Sequence, residues 1–514
     1  MKPLLRPPRI PRTLPRIQSC QSSNGPGSLD ALFQSPKLKA GANSLAFARE
    51  VRKRAGEYRA KQATGRHPLA PATDGPLKTI KGEGVEVKLF ASRLVVSSDN
   101  AADLDISYTF LRDSCTCPAC VQPSTQQKLL KAGQAYEELR PSGSVQVPSV
   151  RLSSHNGEQQ LHIQWPSHES TYPLPWLRTL VDAQATPVEQ TPRIYTPIEW
   201  SSRDALLSSP TLRIPYSSFL TSAAHQHALL SQLTGYGLVV LTSVPPEKTG
   251  DMECELRRAM GVLGELRNTF YGTTWDVKAV RESRNIAYTD VDLGFHQDLC
   301  YFESPPRFQA LHCLRNRVTG GSSYFTDAFS ALRLLKQDQP DHYAALRDQD
   351  VAFVYDNDGY WYYRRHRTVE EAPTLGGEGE GEVQFHAVNY SPPFQAPLPP
   401  GTPPEAQDAL FAALAAFERL LARPEAQYEF TMQEGDMVVF DNRRVLHARR
   451  AFQNKPEEGE VPQGEATRWL KGCYMDGDVV WNKMRVMNRR VRKGEVEPLE
   501  EWKELLKSRG LGRS

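Results

Sequence analysis

The sequence predicts a mainly β protein with flanking helices, preceded by a smaller β-rich unit. Three observations carry this prediction. Short segments alternate apolar and polar residues, as half-buried strands do. With 34 Gly and 39 Pro in 514 residues, turn signals recur too often for long helices to dominate. One segment, "AQDALFAALAAFERLLARP", is clearly helical, and its Leu410, Leu414, Phe417 and Leu421 share a face that belongs in the core.

Residues 1–82 are expected to be a disordered extension. Its first thirty residues carry Lys2, Arg6, Arg9, Arg12 and Arg16, and the first acidic residue is Asp30. That composition suits a mitochondrial transit peptide. A basic tail is the alternative, because its prolines oppose an amphipathic helix. The expected location is mitochondrial, otherwise cytoplasmic. Residues 83–185 read as a small β-rich domain: "VEVKLFASRLVVSS" and "QLHIQWPS" alternate. The stretch 186–225, with "QATPVEQTPRIYTPIEW", reads as a Pro-rich linker. Residues 226–490 form the larger domain. It opens with a helix stopping near Gly235 and a strand from Leu238 to Leu241, and it carries an acidic surface insertion, "GGEGEGE", from Gly376. A C-terminal helix or tail occupies 491–514.

Lys and Arg total 62 against 60 acidic residues, so no global basic field points to nucleic acid. No apolar run approaches the roughly 18 residues of a membrane span. Small molecules are the expected partners, and a homodimer is compatible with the composition. Of eight cysteines three crowd into "CTCPAC", which favours a reducing compartment and a metal site over a disulfide framework.

Those three, Cys115, Cys117 and Cys120, have a C-x-C-x₂-C spacing that lets thiolates converge on one ion. A structural Zn(II) site is a closed tetrahedron and needs a fourth ligand, for which His155, His162 and His168 compete. A second constellation begins in "GFHQDLCYF". His296 and Asp298 are two apart, so in an extended strand they face the same point. "GDMVVFDNRRVLHARRAF" supplies His447 after an apolar strand and a polar turn. Two histidines and a carboxylate with open positions form the facial triad of non-haem Fe(II) oxygenases. Alone, an H-x-D pair also suits a core histidine beside a strand-end aspartate.

The stretches "YGTTWDVK", "NIAYTDVDLGFHQDLCYFESPPRFQALHCLRNRVTGGSSYFTDAF", "VVFDNRRVLHARRAF" and "RWLKGCYMDGDVV" occur in this order. Through them residues 226–490 resemble the γ-butyrobetaine and trimethyllysine dioxygenases, 2-oxoglutarate-dependent oxygenases with a double-stranded β-helix (jelly-roll) core. The resemblance implies that His296, Asp298 and His447 bind Fe(II). It implies that Arg468 clasps the distal carboxylate of 2-oxoglutarate, a role suited to a planar guanidinium, with Arg449 and Arg450 as rivals. Tyr271, Trp275, Tyr288 and Tyr474 are implied to cage a quaternary ammonium group through cation–π attraction.

Asn285 stands where trimethyllysine dioxygenases resemble an Asp, and an amide suits the γ-butyrobetaine carboxylate better. A second amide expected near "AVNYSPPF" has no clear counterpart, since Asn389 is close but Ser391 stands at the equivalent position. The family's N-terminal zinc domain takes its fourth ligand before a "WL" pair, which points to His168. The implied reaction uses O₂ and 2-oxoglutarate, with ascorbate in support. It hydroxylates γ-butyrobetaine at C3 to L-carnitine, the last step of carnitine biosynthesis, releasing succinate and CO₂. Trimethyllysine 3-hydroxylation is the enzymatic alternative. A non-catalytic trimethylammonium-binding module is the alternative of another class.

Overall fold

A computed structural model describes residues 75–98, 101–141, 143–181, 197–278, 290–372, 383–454 and 466–508. The expected transit peptide and the "GGEGEGE" insertion lie outside the described residues.

The N-terminal unit holds an antiparallel meander of β1 (Lys78–Gly82), β2 (Val85–Leu89), β3 (Arg93–Ser98) and β4 (Ala101–Ser107). "VEVKLFASRLVVSS" is therefore two strands folded back at Phe90–Ser92, and residues 78–82, assigned to the disordered extension, form β1. Alternate side chains, Val87, Leu89, Leu94, Val96, Leu104 and Ile106, are buried, as a period of two requires. A second sheet of β5 (Ser149–His155), β6 (Glu158–Gln164) and β7 (Glu169–Pro173) shares their core through Leu161, Trp165 and Tyr172. Between the sheets, helix Tyr108–Asp113 is capped by the Ser107 hydroxyl, which accepts from Phe110 N at 3.1 Å, and it runs straight into the cysteine cluster.

The larger unit begins before residue 226, so the linker expectation fails for its described part. Helix Arg203–Leu207, strand β8 (Arg213–Pro215) and helix Tyr216–Thr221 all belong to it, and β8 pairs in parallel with β9 (Leu238–Thr242). Proline content suggested flexibility, but apolar anchors outweigh it: Trp200, Ile214 and Phe219 are buried. A buried ion pair fixes the entry. Arg444 meets Asp327 at 2.7 Å and also donates to Ile198 O and Gly235 O, while Trp200 N donates to Asp327. Helix Ala223–Tyr236 ends two residues beyond the expected stop, at Gly237, whose φ of 81° favours glycine.

Further strands are β10 (Trp275–Lys278), β11 (Leu293–His296), β12 (Phe308–Asn316), β13 (Val318–Gly320) and β14 (Ser323–Asp327). A hairpin of β15 (Asp350–Asn357) and β16 (Tyr360–Arg367) follows, then the pair β17 (Val369–Glu371) and β18 (Phe385–Val388). The last are β19 (Tyr428–Phe430), β20 (Met437–Asp441), β21 (Val445–Arg449), β22 (Phe452–Asn454) and β23 (Arg468–Met475). They build a six-stranded sheet, β10-β23-β12-β20-β9-β8, and a four-stranded sheet, β11-β21-β14-β19. Val438, Phe440 and Leu470 of the first share a core with Phe325, Tyr428 and Val445 of the second.

Helices cover the other face of the six-stranded sheet. Met484 and Met487 of helix Gly477–Arg492 pack there, joined by Trp502 and Leu506 of helix Glu500–Ser508. The C-terminal segment is thus part of the core up to Ser508: Trp502 also donates to Thr211 Oγ1 at 2.9 Å. Helix Pro404–Leu421 buries Leu410, Leu414, Phe417 and Leu421 as its periodicity predicts. Among the described residues no helix is long and apolar enough to cross a membrane.

Candidate active site

His296 closes β11 and His447 sits in the middle of β21; the two are cross-strand partners with ring centroids 4.1 Å apart. Asp298 lies in the turn after β11 rather than in an extended strand. Its Oδ1 is 3.4 Å from His296 Nε2 and 4.0 Å from His447 Nε2, and the three donor atoms all lie within 4.8 Å of one another. The turn forces Leu299 to a φ of 62°, a conformation that costs a β-carbon residue about 1–2 kcal/mol. The main chain of Asp298 is pinned in compensation. Asp298 N donates to Asn442 Oδ1 at 3.0 Å, and Asn442 Nδ2 donates to Asp298 O at 3.1 Å.

Electrostatics favour a cation here. His296 Nδ1 lies 2.9 Å from Gly294 O, so it carries the proton and Nε2 offers a lone pair toward Asp298. Burial, helped by His296, pushes the His447 imidazole down to about 3 against the pull of Asp298, which leaves it neutral. Burial alone would raise the Asp298 carboxyl. Its contacts with His296, His447 and the Tyr474 hydroxyl outweigh burial and hold the group well below the usual carboxylate range. Two neutral imidazoles and one carboxylate are a donor set that fits Fe(II).

Arg468, the first residue of β23, is buried, and its Nε has no hydrogen-bond partner. Among the described residues no acidic side chain forms an ion pair with it. Burial, reinforced by Arg449, lowers its pKa to about 10. Such a site calls for an anion, and a carboxylate is the natural match. The rivals are engaged elsewhere: Arg449 donates to Val291 O at 2.6 Å, and Arg450 pairs with Glu429 at 3.0 Å over the Tyr324 ring. Arg449, two residues after His447 on β21, and Arg468 both lie over the Phe452 ring, at 5.0 Å and 5.6 Å, which brings Arg468 beside the strand that carries His447.

Three of the four expected cage aromatics come together. Trp275 and Tyr474 have ring centroids 5.1 Å apart, and Tyr271 and Trp275 6.2 Å apart. Trp275 lies over Gly472, where an added β-carbon would meet the indole at 2.4 Å. Tyr474 also donates its hydroxyl to Asp298 Oδ2 at 2.8 Å, so the aromatic group adjoins the His296, Asp298 and His447 cluster directly. Tyr288 and Asn285 lie outside the described residues. Asn389 is committed to structure: it accepts from Arg443 at 2.8 Å and donates to Arg367 O and Glu370. Ser391 is buried with its hydroxyl unpartnered.

In the N-terminal unit Cys115, Cys117, Cys120 and His168 bring their ligand atoms within 4.8 Å of one another. His168 Nε2 is 3.4 Å from Cys115 Sγ and 3.6 Å from Cys120 Sγ. Ser167 Oγ donates to Glu138 at 2.6 Å and therefore accepts from His168 Nδ1 at 2.8 Å, which leaves Nε2 unprotonated toward the sulfurs. Arg112 donates to Cys120 Sγ at 3.2 Å and Ser170 to Cys115 Sγ at 2.9 Å. Burial pushes the Cys115 thiol up to about 11, so its thiolate needs a cation beside it. Three thiolates and one imidazole are a donor set that fits Zn(II). Of the rivals, His162 is bonded to Ser153 and Thr171, and His155 is exposed at the end of β5.

Residues 200–474 match the taurine catabolism dioxygenase TauD, TfdA family, and residues 86–178 match the gamma-butyrobetaine hydroxylase-like N-terminal family. The chain belongs to the TauD, TfdA family. Dioxygenase str8 of Strobilurus tenacellus is 41% identical to it over 74% of this chain and 84% of its own length. Human gamma-butyrobetaine dioxygenase is 29% identical over 75% of this chain and 92% of its own length. Rat trimethyllysine dioxygenase, mitochondrial, is 26% identical over 74% and 82% respectively. This TauD, TfdA family member is an Fe(II)- and 2-oxoglutarate-dependent dioxygenase.

Three residues of the family member's site lie within the matching stretches but carry no expected role there. Asn442, in the turn before β21, fixes the backbone of Asp298 from 144 positions away. Gln309 Nε2 donates to Asp298 Oδ2 at 2.8 Å. Gly472 provides the bed for Trp275. Each acts through strand register, and the nearest available signal was the polar Gln309 inside the apolar run "FQALHC".

Proposed function

We propose that this dioxygenase hydroxylates γ-butyrobetaine at C3 to give L-carnitine, consuming 2-oxoglutarate and O₂ and releasing succinate and CO₂. The observation that carries the reading is the Trp275–Tyr474 pair, whose faces suit a trimethylammonium ion and whose hydroxyl touches Asp298. Relatives named for γ-butyrobetaine and trimethyllysine support the same class of cation. In this reading His296, Asp298 and His447 hold Fe(II), and Arg468 takes the distal carboxylate of 2-oxoglutarate. Tyr271, Trp275, Tyr474 and Tyr288 enclose the cation, and Asn285 meets the substrate carboxylate. The two facing sheets then correspond to a double-stranded β-helix.

Bound Fe(II) supplies the activation of O₂. The chain supplies placement: the cage holds one end of the substrate so that an unactivated C–H bond faces the metal side, and the aromatic walls exclude water. The Arg-rich N-terminus and a relative named as mitochondrial support a mitochondrial location.

The test is incubation of the purified chain with Fe(II), ascorbate and 2-oxoglutarate, offering γ-butyrobetaine and trimethyllysine separately. Mass spectrometry is expected to show γ-butyrobetaine gaining one oxygen with matching succinate. Oxygen gain by trimethyllysine alone would reassign the substrate, and succinate at background with both would remove the trimethylammonium reading.

Cys115, Cys117, Cys120 and His168 are proposed to hold one structural Zn(II). Cys117→Ser or a strong chelator is expected to release the metal, measured by elemental analysis. The same treatment is expected to lower the unfolding midpoint of the N-terminal unit by roughly 10 °C or more, because binding energy at such sites is folding energy. Calorimetry with unchanged midpoints would count against a structural role.

A further inference from the structure

The Asp298 carboxylate has two unequal oxygens. Oδ1 faces both imidazoles, at 3.4 Å and 4.0 Å. Oδ2 faces away from that arrangement into two donors, Gln309 Nε2 at 2.8 Å and the Tyr474 hydroxyl at 2.8 Å. The donors have one origin: Gln309 on β12 and Tyr474 on β23 are directly opposite partners in the antiparallel register. A single cross-strand pair therefore delivers two hydrogen bonds to one oxygen. Gln309 is buried, and its own carbonyl oxygen has no partner, so the amide is placed for this contact.

From this we propose that Gln309 and Tyr474 are positioning residues that hold Asp298 as a one-oxygen metal ligand. The inference rests on the reading that His296, Asp298 and His447 hold Fe(II). An oxygen that already accepts two short bonds has little lone-pair density left for a cation, and turning it inward would strand two buried donors. One oxygen plus two imidazoles makes three donors. The positions that a two-oxygen carboxylate would close stay available to the cosubstrate and O₂. Tyr474 therefore does two jobs: its ring faces Trp275 and its hydroxyl sets the geometry of a metal ligand.

The test uses the full chain, free of substrate and cosubstrate, titrated anaerobically with Co(II) as the probe metal. Gln309→Leu, Tyr474→Phe and the double variant are compared with wild type by affinity and by the visible absorption of bound Co(II). Each single variant is expected to weaken binding about 10-fold and the double by about 100-fold, the range found for removal of outer hydrogen bonds to metal ligands. The absorption bands are expected to change shape as the carboxylate gains freedom to use both oxygens. Tyr474→Phe keeps the ring and removes one oxygen atom, so it decides the matter even where Gln309→Leu does not fold. Wild-type affinity and an unchanged spectrum in the variants would overturn the positioning role alone. Failure of wild type to bind Co(II) would overturn the iron reading and this inference with it.

Discussion

Asp298→Ala is expected to remove metal binding and turnover together, with 2-oxoglutarate consumption falling by about a thousand-fold or more. The substitution deletes the one anionic donor of the site and leaves two neutral imidazoles, which cannot balance a divalent ion. The fold is expected to survive, because the contacts of Asp298 with Asn442 run through its main chain and persist in alanine. The checks are metal content after loading with Fe(II), succinate formation, and the thermal midpoint of the metal-free chain. Full metal content in the variant would exclude Asp298 as a ligand.

Arg468→Met separates function from stability in opposite directions. The KM for 2-oxoglutarate is expected to rise by about a hundred-fold or more, since losing one side of a buried charge pair costs roughly 2–5 kcal/mol and each 1.4 kcal/mol is tenfold. The protein without cosubstrate is expected to become more stable by about 1 kcal/mol, because burial and the neighbouring Arg449 already disfavour a charged Arg468. Added 2-oxoglutarate should then stabilise wild type but not the variant, as linkage requires. Steady-state kinetics and thermal shifts with and without 2-oxoglutarate measure both halves. An unchanged KM would move the cosubstrate role to another residue.

The legible part of the site was the part with local spacing. His296 and Asp298 are two residues apart, His447 follows an apolar strand and a polar turn, and the three cysteines fall within six positions. The illegible part depends on register. No pattern in the sequence says that Gln309 will lie opposite Tyr474, or that Asn442 will meet Asp298 across 144 residues, because each follows from long-range strand pairing. The fold shows the same division. Helix Pro404–Leu421 follows from its own periodicity, whereas the prolines before residue 226 predict a linker where the buried Trp200, Ile214 and Phe219 anchor the chain to the domain. The turn at Asp298 is illegible for a related reason: Leu299 adopts a left-handed backbone conformation that leucine does not favour.

Gly472 bears on how this pocket could change over generations or in redesign. Its missing side chain is the space in which the Trp275 indole lies, at 2.4–2.7 Å from where a methyl group would be. In the proposed cage, position 472 therefore sets the size while contributing no side-chain atom, and positions 472 and 275 are expected to behave as an epistatic pair. A methyl group at 472 is costly while Trp275 stays and becomes acceptable once the indole is replaced by something smaller. A search for altered cation selectivity that varies the cage aromatics one at a time will miss this route; a library pairing 472 with 275 contains it.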